Sequence, residues 1–551
     1  MDIHATSQIK IRYKRRLMFL VALLFVCQMG AFTFDMPFFT PPDNQTVTID
    51  STNLPIVWIE VGGKSIKRTI RITAHMKIIH NGNGNLNYAD TLSHPNQHID
   101  YEGYVAIRYR GNTSYSSSPK KPYSFRPLDK PLEQNGTKQK VNILGMGKDN
   151  DWALLAPYFD KSLLRNPLAF EISRPWMEFV PKCQFCEVYL DGIYYGVYIM
   201  TEVVSKGKHR TNLDDPGNSG DELTGGYIME VDRTDEVTYT SKYNPVDTNG
   251  IPYETKHINF QYKSPDYEDL TEDQISYINN QIDQMEDALA SENYRDPETG
   301  YRKYIDETNF IDYQLAMEIG HNVDAYRLSG KFFKRRDSKD ERFKMVVWDM
   351  DLAYGNANYY RGWRRNDWIY QSNNRISSDK YLIPFWWYKL NRDPDYKTHL
   401  KKRWAQYRQG NLSDERLMAT VDSLAHVLTS VGAIDRNSQA WPRWGVYVWP
   451  NYFIANSFEE EIGFLKQWLT ERIEWMDAQL NYTPTPPPVY EKGDVNGDGQ
   501  VNITDINILI DIIMGGTYDK ETMLRADVNE DSEINISDIM ATLDIILRSV
   551  S

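Results

Sequence analysis

Apolar and polar positions alternate along much of the first half of the chain and give way to helical periods in the second. Alternation over residues 54–61, 69–74 and 104–109 predicts strands, because a period of two turns one face toward a core. Residues 122–125 predict another strand, directly after Lys120 and Lys121. Residues 185–190 and 194–199 read as a hairpin joined by Asp191-Gly192, a dipeptide suited to a tight turn. Residues 226–231 add a further strand. The stripe of Leu163, Leu164, Leu168 and Ile172 predicts a helix over 162–174, with Asp160 in place to cap it. Helical periods return over 309–319, in parts of 384–432 and at Phe458–Leu480, interrupted by strand-like 331–334 and 343–348. The pattern predicts an α+β body, sheet-rich first and helix-rich second, followed by a small all-α module.

The ends follow different rules. Arg12, Lys14, Arg15 and Arg16 precede an apolar run of 11 residues, 17–27, the pattern of a signal peptide over 1–31. The run is shorter than the ~20 residues that span a bilayer; an uncleaved anchor, or lipidation at Cys27, are the alternatives. Residues 32–52 read as a polar lead-in and 53–480 as the body. Pro484, Pro486, Pro487 and Pro488 mark a linker over 481–492, since clustered prolines favour extended polyproline geometry. Residues 493–551 then form the last module.

Composition sharpens this division. The chain has 551 residues, 14 Trp and 37 Tyr, enough apolar surface for several cores. Its net charge is -14, and residues 491–551 contribute 13 acidic against 4 basic residues. No broad basic footprint points to nucleic acid. Beyond the leader only Cys183 and Cys186 remain, too few for a disulfide framework, although a local bridge stays open.

The acidic tail is patterned. Asp494, Asn496, Asp498, Gln500, Asn502 and Asp505 occupy positions 1, 3, 5, 7, 9 and 12 of an oxygen-rich loop, with Gly499 at the turn. Asp527, Asn529, Asp531, Glu533, Asn535 and Asp538 repeat the set 33 residues later, with Ser532 in place of the glycine. Such spacing can supply the six to eight oxygens that Ca2+ takes. Apolar-periodic helices follow both loops. The doubled register closely resembles dockerin domains over 493–549. Membership implies a calcium-stabilised helical module that docks onto a cohesin-like protein. Ile503, Thr504, Ile536 and Ser537 hold the near-symmetric positions associated with partner choice.

In the body, Val347 and Trp348 run into Asp349 and Asp351, then Gly355 and Asn356. Extended geometry would turn both acids to similar sides, where their repulsion calls for a cation such as Mg2+ or a hydrogen-bond network; an acidic strand-end loop with local caps is the alternative. Asn322, Asp324 and Arg327 form a second acid-bearing segment. Arg110, Gly111, Asn112, Thr113 and Ser114 make a turn that could approach phosphate. There is neither a Walker A motif nor the Gly-rich loop of ordinary protein kinases.

Together with Asn150-Asp151-Trp152 and residues 160–166, 187–202 and 225–230, these segments resemble the spore-coat-H, or CotH, kinase family over about 50–480. The resemblance implies an atypical protein-kinase-like fold and ATP-dependent phosphorylation of protein Ser or Thr. It assigns Asp324 as catalytic acid, and Asp349 and Asp351 to the metal-binding segment, leaving open which makes the essential contact. Lys121 is the preferred phosphate lysine, with Lys120 as register alternative. Arg110 and Asn112 orient the phosphate turn, and Glu202 lies toward the nucleotide side. Ser329 stands where an ordinary catalytic loop has Asn, so a second metal ligand is expected from 349–356. Export to the extracellular space, cell surface or periplasm leaves an inactive scaffold or adhesin as the alternative. A carbohydrate-active enzyme is a third reading, without a placed acid pair. In 359–387, Phe385, Trp386 and Trp387 read as core, while Arg361, Trp363, Arg364 and Arg365 could rim a site for an acidic partner.

Overall fold

Seven strands whose inward residues fall two apart close into a barrel: β1 (Ile56–Glu60), β2 (Ile72–Ile79), β3 (Ile99–Tyr109), β4 (Tyr123–Pro127), β5 (Trp152–Leu155), β6 (Cys183–Leu190) and β7 (Ile193–Glu202). Val57 and Ile59, Met76 and Ile78, Val105 and Ile107, Tyr123 and Phe125, Trp152 and Leu154 fill it, with Cys186, Val188, Tyr198 and Met200. The order is β6-β7-β5-β4-β3-β2-β1, and closure comes from the parallel pairing of β1 with β6, Glu187 opposite Ile56. This computed structural model describes residues 47–484, 491–529, 531 and 533–549. The signal-like segment, Cys27, the prolines at 486–488 and Ser532 lie outside the described residues.

A second sheet has five strands, in the order β9-β10-β8-β11-β12: β8 (Tyr227–Val231), β9 (Thr238–Thr240), β10 (Asn259–Ser264), β11 (Gly330–Lys334) and β12 (Lys344–Val346). It draws its strands from both halves of the body, so the sheet-rich and helix-rich parts read from the pattern are not separate in space. Around it stand α1 (Arg165–Ser173), α2 (Glu272–Ala290), α3 (Glu307–Gly320), α4 (Pro394–Arg408), α5 (Asp414–Thr429) and α6 (Phe458–Leu480). One large core joins them and takes in Phe185, Val197 and Ile199 from the barrel's outer face. Phe385, Trp386 and Trp387 are buried in it, as their pattern predicts. Helix α1 starts three residues later than expected, because Leu163 adopts a left-handed φ of 63° and the Asp160 carboxylate accepts the Arg165 N–H at 2.8 Å.

Cys183 and Cys186 are free thiols, so the local bridge is absent, and burial pushes both up to about 12, which disfavours the thiolate. Among the described residues no single helix is long and apolar enough to cross a membrane.

The described residues divide into two compact units, the first ending at Tyr482 and the second beginning at Thr483. The second contains α7 (Ile503–Ile513), α8 (Lys520–Ala526) and α9 (Ile536–Ser549), closed over Val495, Leu509, Ile512, Ala526 and Val528.

Candidate active site and calcium loops

A cavity of about 790 Å³ opens in the body. Barrel alternation builds one wall. Ile107 and Phe125 face inward, so Arg108 and Arg126 face outward, and with Arg71 and Arg110 they line the cavity. Burial, with Arg126 and Arg108 alongside, pushes the Arg71 guanidinium down to about 9, the mark of a crowded positive field. Arg126 Nε donates to Asp151 at 2.5 Å. Arg110 lies over the Trp348 ring at 5.2 Å, and its Nη1 is buried without a hydrogen-bond partner. Burial lowers its pKa, opposed by Asp349 and then Glu230.

The turn after β3 is tight. Gly111 has φ 81°, and a Cβ there would meet Ser114 Oγ at 2.2 Å. Asn112 accepts from Arg68 at 2.5 Å and donates to Asp235 at 2.8 Å, spanning from the barrel to the segment after β8.

The opposite wall carries the acids. Asp324, Asp349 and Asp351 all line the cavity. Asp349 does not continue a strand: β12 ends at Val346, and Asp349 has φ 61°. The expectation of extended geometry therefore fails, yet the turn still brings both acids to the cavity. Asn322 Nδ2 donates to Asp349 O at 3.0 Å, the Met350 N–H donates to Asn166 Oδ1 at 2.7 Å, and Arg165 Nε donates to Ala353 O at 3.1 Å. Arg165 is in turn held by Asp160 and Glu461. Ser329 Oγ donates to Asp349 Oδ2 at 2.9 Å, and Arg327 Nη2 donates to Asp324 Oδ1 at 2.9 Å.

Asp349 keeps an exposed edge, yet the desolvation its carboxylate meets within the cavity raises its pKa; Ser329 opposes this and Asp324 adds to it. Burial raises that of Asp351 well above the carboxylate range, helped by Asp349, Asp160 and Asp324. Such a set fits a hard cation. Among the described residues no group of three or more His, Cys, Asp or Glu is gathered to hold a metal alone. Mg2+ needs none, because it keeps waters and takes one or two carboxylates together with substrate phosphates. Glu230, with Lys331 at 2.6 Å and Lys263 at 3.3 Å, completes the wall on β8, β10 and β11.

Several expected positions fall elsewhere. Lys120 is fully buried, its Nζ donating to Val197 O at 2.5 Å and Asn437 Oδ1 at 2.9 Å, and burial drives its pKa well below the usual lysine value. Lys121 Nζ donates to Tyr115 O at 2.5 Å and lies 5.0 Å from the Tyr115 ring centroid. Neither lines the cavity: Lys120 is committed to Val197 and Asn437, and Lys121 to Tyr115. Glu202 is buried behind it, accepting the Lys182 N–H at 2.8 Å and facing Arg210 at 3.7 Å. Asn356 is also spent, donating to Phe159 O and Asp351 O and accepting from Asn451. Arg71, Arg108 and Arg126 went unnoticed in the sequence, although the polar phase of β3 and β4 marks the last two.

The two acidic loops repeat their backbone-to-carboxylate contacts. The Asn496 and Asn502 N–H groups donate to the two oxygens of Asp505 at 3.0 and 2.9 Å; those of Asn529 and Asn535 donate to Asp538 at 3.1 and 2.9 Å. Asp498 N–H reaches Asp494 at 3.1 Å, and Asp531 N–H reaches Asp527 at 3.0 Å. Gln500 and Glu533 N–H groups each reach the acid two residues back at 2.9 Å. The backbone is thus wrapped around each acid pair. Asp494, Asp505 and Asp538 are buried, a costly placement that an oxygen-seeking cation would relieve.

None of the curated proteins compared matches the chain. Two family models do: CotH kinase protein over residues 107–476, and the dockerin type I domain over 492–542. The first spans well over half of the 551 residues and takes in the acid loop, Asp324 and the Arg110 turn. The chain belongs to the CotH kinase protein family and carries a type I dockerin domain after its body.

Proposed function

We propose that the body is an atypical protein kinase, exported and tethered through its dockerin module, that moves the terminal phosphoryl group of ATP to a protein Ser or Thr. The observation that carries this is one cavity lined at once by six arginines, Arg71, Arg108, Arg110 and Arg126 among them, and by Asp324, Asp349 and Asp351. Arg71, Arg108, Arg110 and Arg126 are the phosphate-facing group, in place of Lys120 and Lys121. Their planar forks suit phosphate oxygens, and Arg110 has a free Nη1 to offer. Asp349 and Asp351 would hold Mg2+, which supplies charge neutralisation at the β- and γ-phosphates.

Asp324 orients the acceptor hydroxyl and takes its proton as the new O–P bond forms. The bond from the γ-phosphorus to the bridging oxygen breaks, and ADP leaves. Arg327 keeps Asp324 in one rotamer, and Ser329 does the same for Asp349. This is positioning and electrostatics, the main resources of phosphoryl transfer. The kinase-like fold is part of the same proposal.

The C-terminal loops bind two Ca2+, and the ordered helices present Ile503, Thr504, Ile536 and Ser537 to a cohesin-like protein. A silent surface scaffold is the second reading; it draws on Lys120 and Lys121 both being committed outside the cavity. Titration with ATP, with and without Mg2+, separates the two: metal-dependent binding lost in Asp349→Asn supports the kinase, and no specific nucleotide binding supports the scaffold.

A further inference from the structure

Large rings normally bury, yet Tyr447, Trp449, Tyr452 and Ile454 are 42–50 % exposed and lie together in one short segment. They are held firmly. Trp449 stacks on Tyr359, centroids 5.9 Å apart and planes 9° from parallel, and Tyr452 stacks on Trp363 at 5.0 Å and 3°. Tyr447 accepts a hydrogen bond from Asn358 Nδ2 at 2.8 Å. The backbone is fastened as well: Asn358 N–H donates to Pro450 O at 2.8 Å and Tyr452 N–H to Asn356 O at 2.7 Å. Residues 356–358 directly continue the acid loop.

A second link reaches Asp324. Arg327 bonds both Asp324 and Asp379 at 2.9 Å, and the Tyr360 hydroxyl donates to the same Asp379 at 3.0 Å. The ring shelf is therefore rigid and tied on two sides to the residues that hold the acids. Arg361 and Arg364 stand exposed in the same segment as Tyr359, Tyr360 and Trp363, and neither enters an ion pair among the described residues.

We propose that this shelf docks the acceptor polypeptide and selects a segment with aromatic side chains and carboxylates beside its Ser or Thr. The inference rests on the kinase reading and deepens it. Rings of the acceptor stack on Trp449 and Tyr452, while its carboxylates meet Arg361 and Arg364. A neutral sugar polymer would also suit an aromatic shelf, but it leaves two exposed guanidiniums without counter-charge, so charge complementarity favours the acidic polypeptide.

A peptide with the sequence of residues 32–46 has the required chemistry, with Phe32, Phe34, Phe38 and Phe39 around Thr33, Asp35 and Thr40. The test titrates this peptide, a version with all four Phe changed to Ala, and a neutral β-linked glucose hexamer into the full chain without nucleotide. The proposal expects the first to bind, the second at least tenfold more weakly, and the hexamer not at all. Trp449→Ala with Tyr452→Ala should weaken the peptide at least tenfold, and Arg361→Glu with Arg364→Glu about fivefold, with circular dichroism and Mg2+–ATP affinity unchanged. Equal binding by the shelf variants, equal binding of the Phe-free peptide, or hexamer binding in place of peptide would overturn it. Peptide binding at the shelf in a chain that takes no Mg2+–ATP would keep the docking surface and overturn phosphoryl transfer instead.

Discussion

Ser329 donates its hydroxyl to Asp349 across the floor of the cavity, 2.9 Å from oxygen to oxygen, and both residues adopt left-handed backbone conformations, with φ of 54° and 61°. Two adjacent loops store strain to hold one carboxylate oxygen in place. The other oxygen remains for a cation. Ser329→Ala should therefore raise the KM for Mg2+–ATP about tenfold, as expected for a lost hydrogen bond to a charged group, with little change in melting temperature. Steady-state kinetics over a magnesium series check this; an unchanged magnesium dependence would remove Ser329 from the site.

The arginine wall and the two lysines make opposite predictions. Arg110→Ala or Arg71→Ala should weaken ATP at least tenfold while the fold persists. Lys121→Ala should leave ATP affinity within twofold, because its Nζ is occupied at Tyr115. Lys120→Ala should act on stability, costing about 2–4 kcal/mol by stranding Val197 O and one bond of Asn437 in the interior. Denaturation and nucleotide titration on the same four variants separate these outcomes.

The contrast between lysines and arginines also shows what the sequence reveals. Strand phase was legible: Ile107 and Phe125 alternate with Arg108 and Arg126, and Asp191-Gly192 marks its hairpin. Helix α6 begins and ends where its apolar period does. What escaped depends on distant partners. Lys120 and Lys121 differ little in sequence context, and only distant partners, Val197 and, more than 300 residues away, Asn437, reveal that Lys120 points inward. The barrel closes through Glu187 and Ile56, a pairing no local period announces. Asp349 and Asp351 do line one cavity, but through a left-handed turn and not a continuing strand.

Glu286 supplies a pH prediction away from the cavity. It is fully buried, accepting from Trp386 Nε1 at 2.8 Å and from the Ser241 hydroxyl, and burial pushes its pKa up to about 8 from 4.5. The folded body keeps this proton where the unfolded chain has lost it. Stability should thus fall as pH rises from about 4.5 to about 8, at about 1.4 kcal/mol per pH unit and roughly 5 kcal/mol in all from this group. Glu286→Gln should flatten that slope and leave the variant more stable than wild type at pH 8.5. Parallel melting curves for the two proteins across pH 5–8.5 would contradict it.

The duplicated loops predict two calcium ions per chain. Asp505→Ala, which strands the Asn496 and Asn502 N–H groups, should reduce the stoichiometry to one, and Asp538→Ala should do the same for the second loop. Chelation should lower helicity and expose residues 491–549 to protease. Calorimetric titration with Ca2+ and limited digestion in chelator read both effects; full protection without calcium would contradict the assignment.

Transfer of labelled phosphate from ATP in Mg2+ tests the central claim most directly, using the full chain with the 32–46 peptide and a protein extract as acceptors. Wild-type protein should label Ser or Thr, and Asp324→Asn, folded to the same degree, should lose at least a hundredfold in rate. Labelling that survives Asp324→Asn, or a wild-type chain that neither binds Mg2+–ATP nor transfers phosphate, would contradict the account.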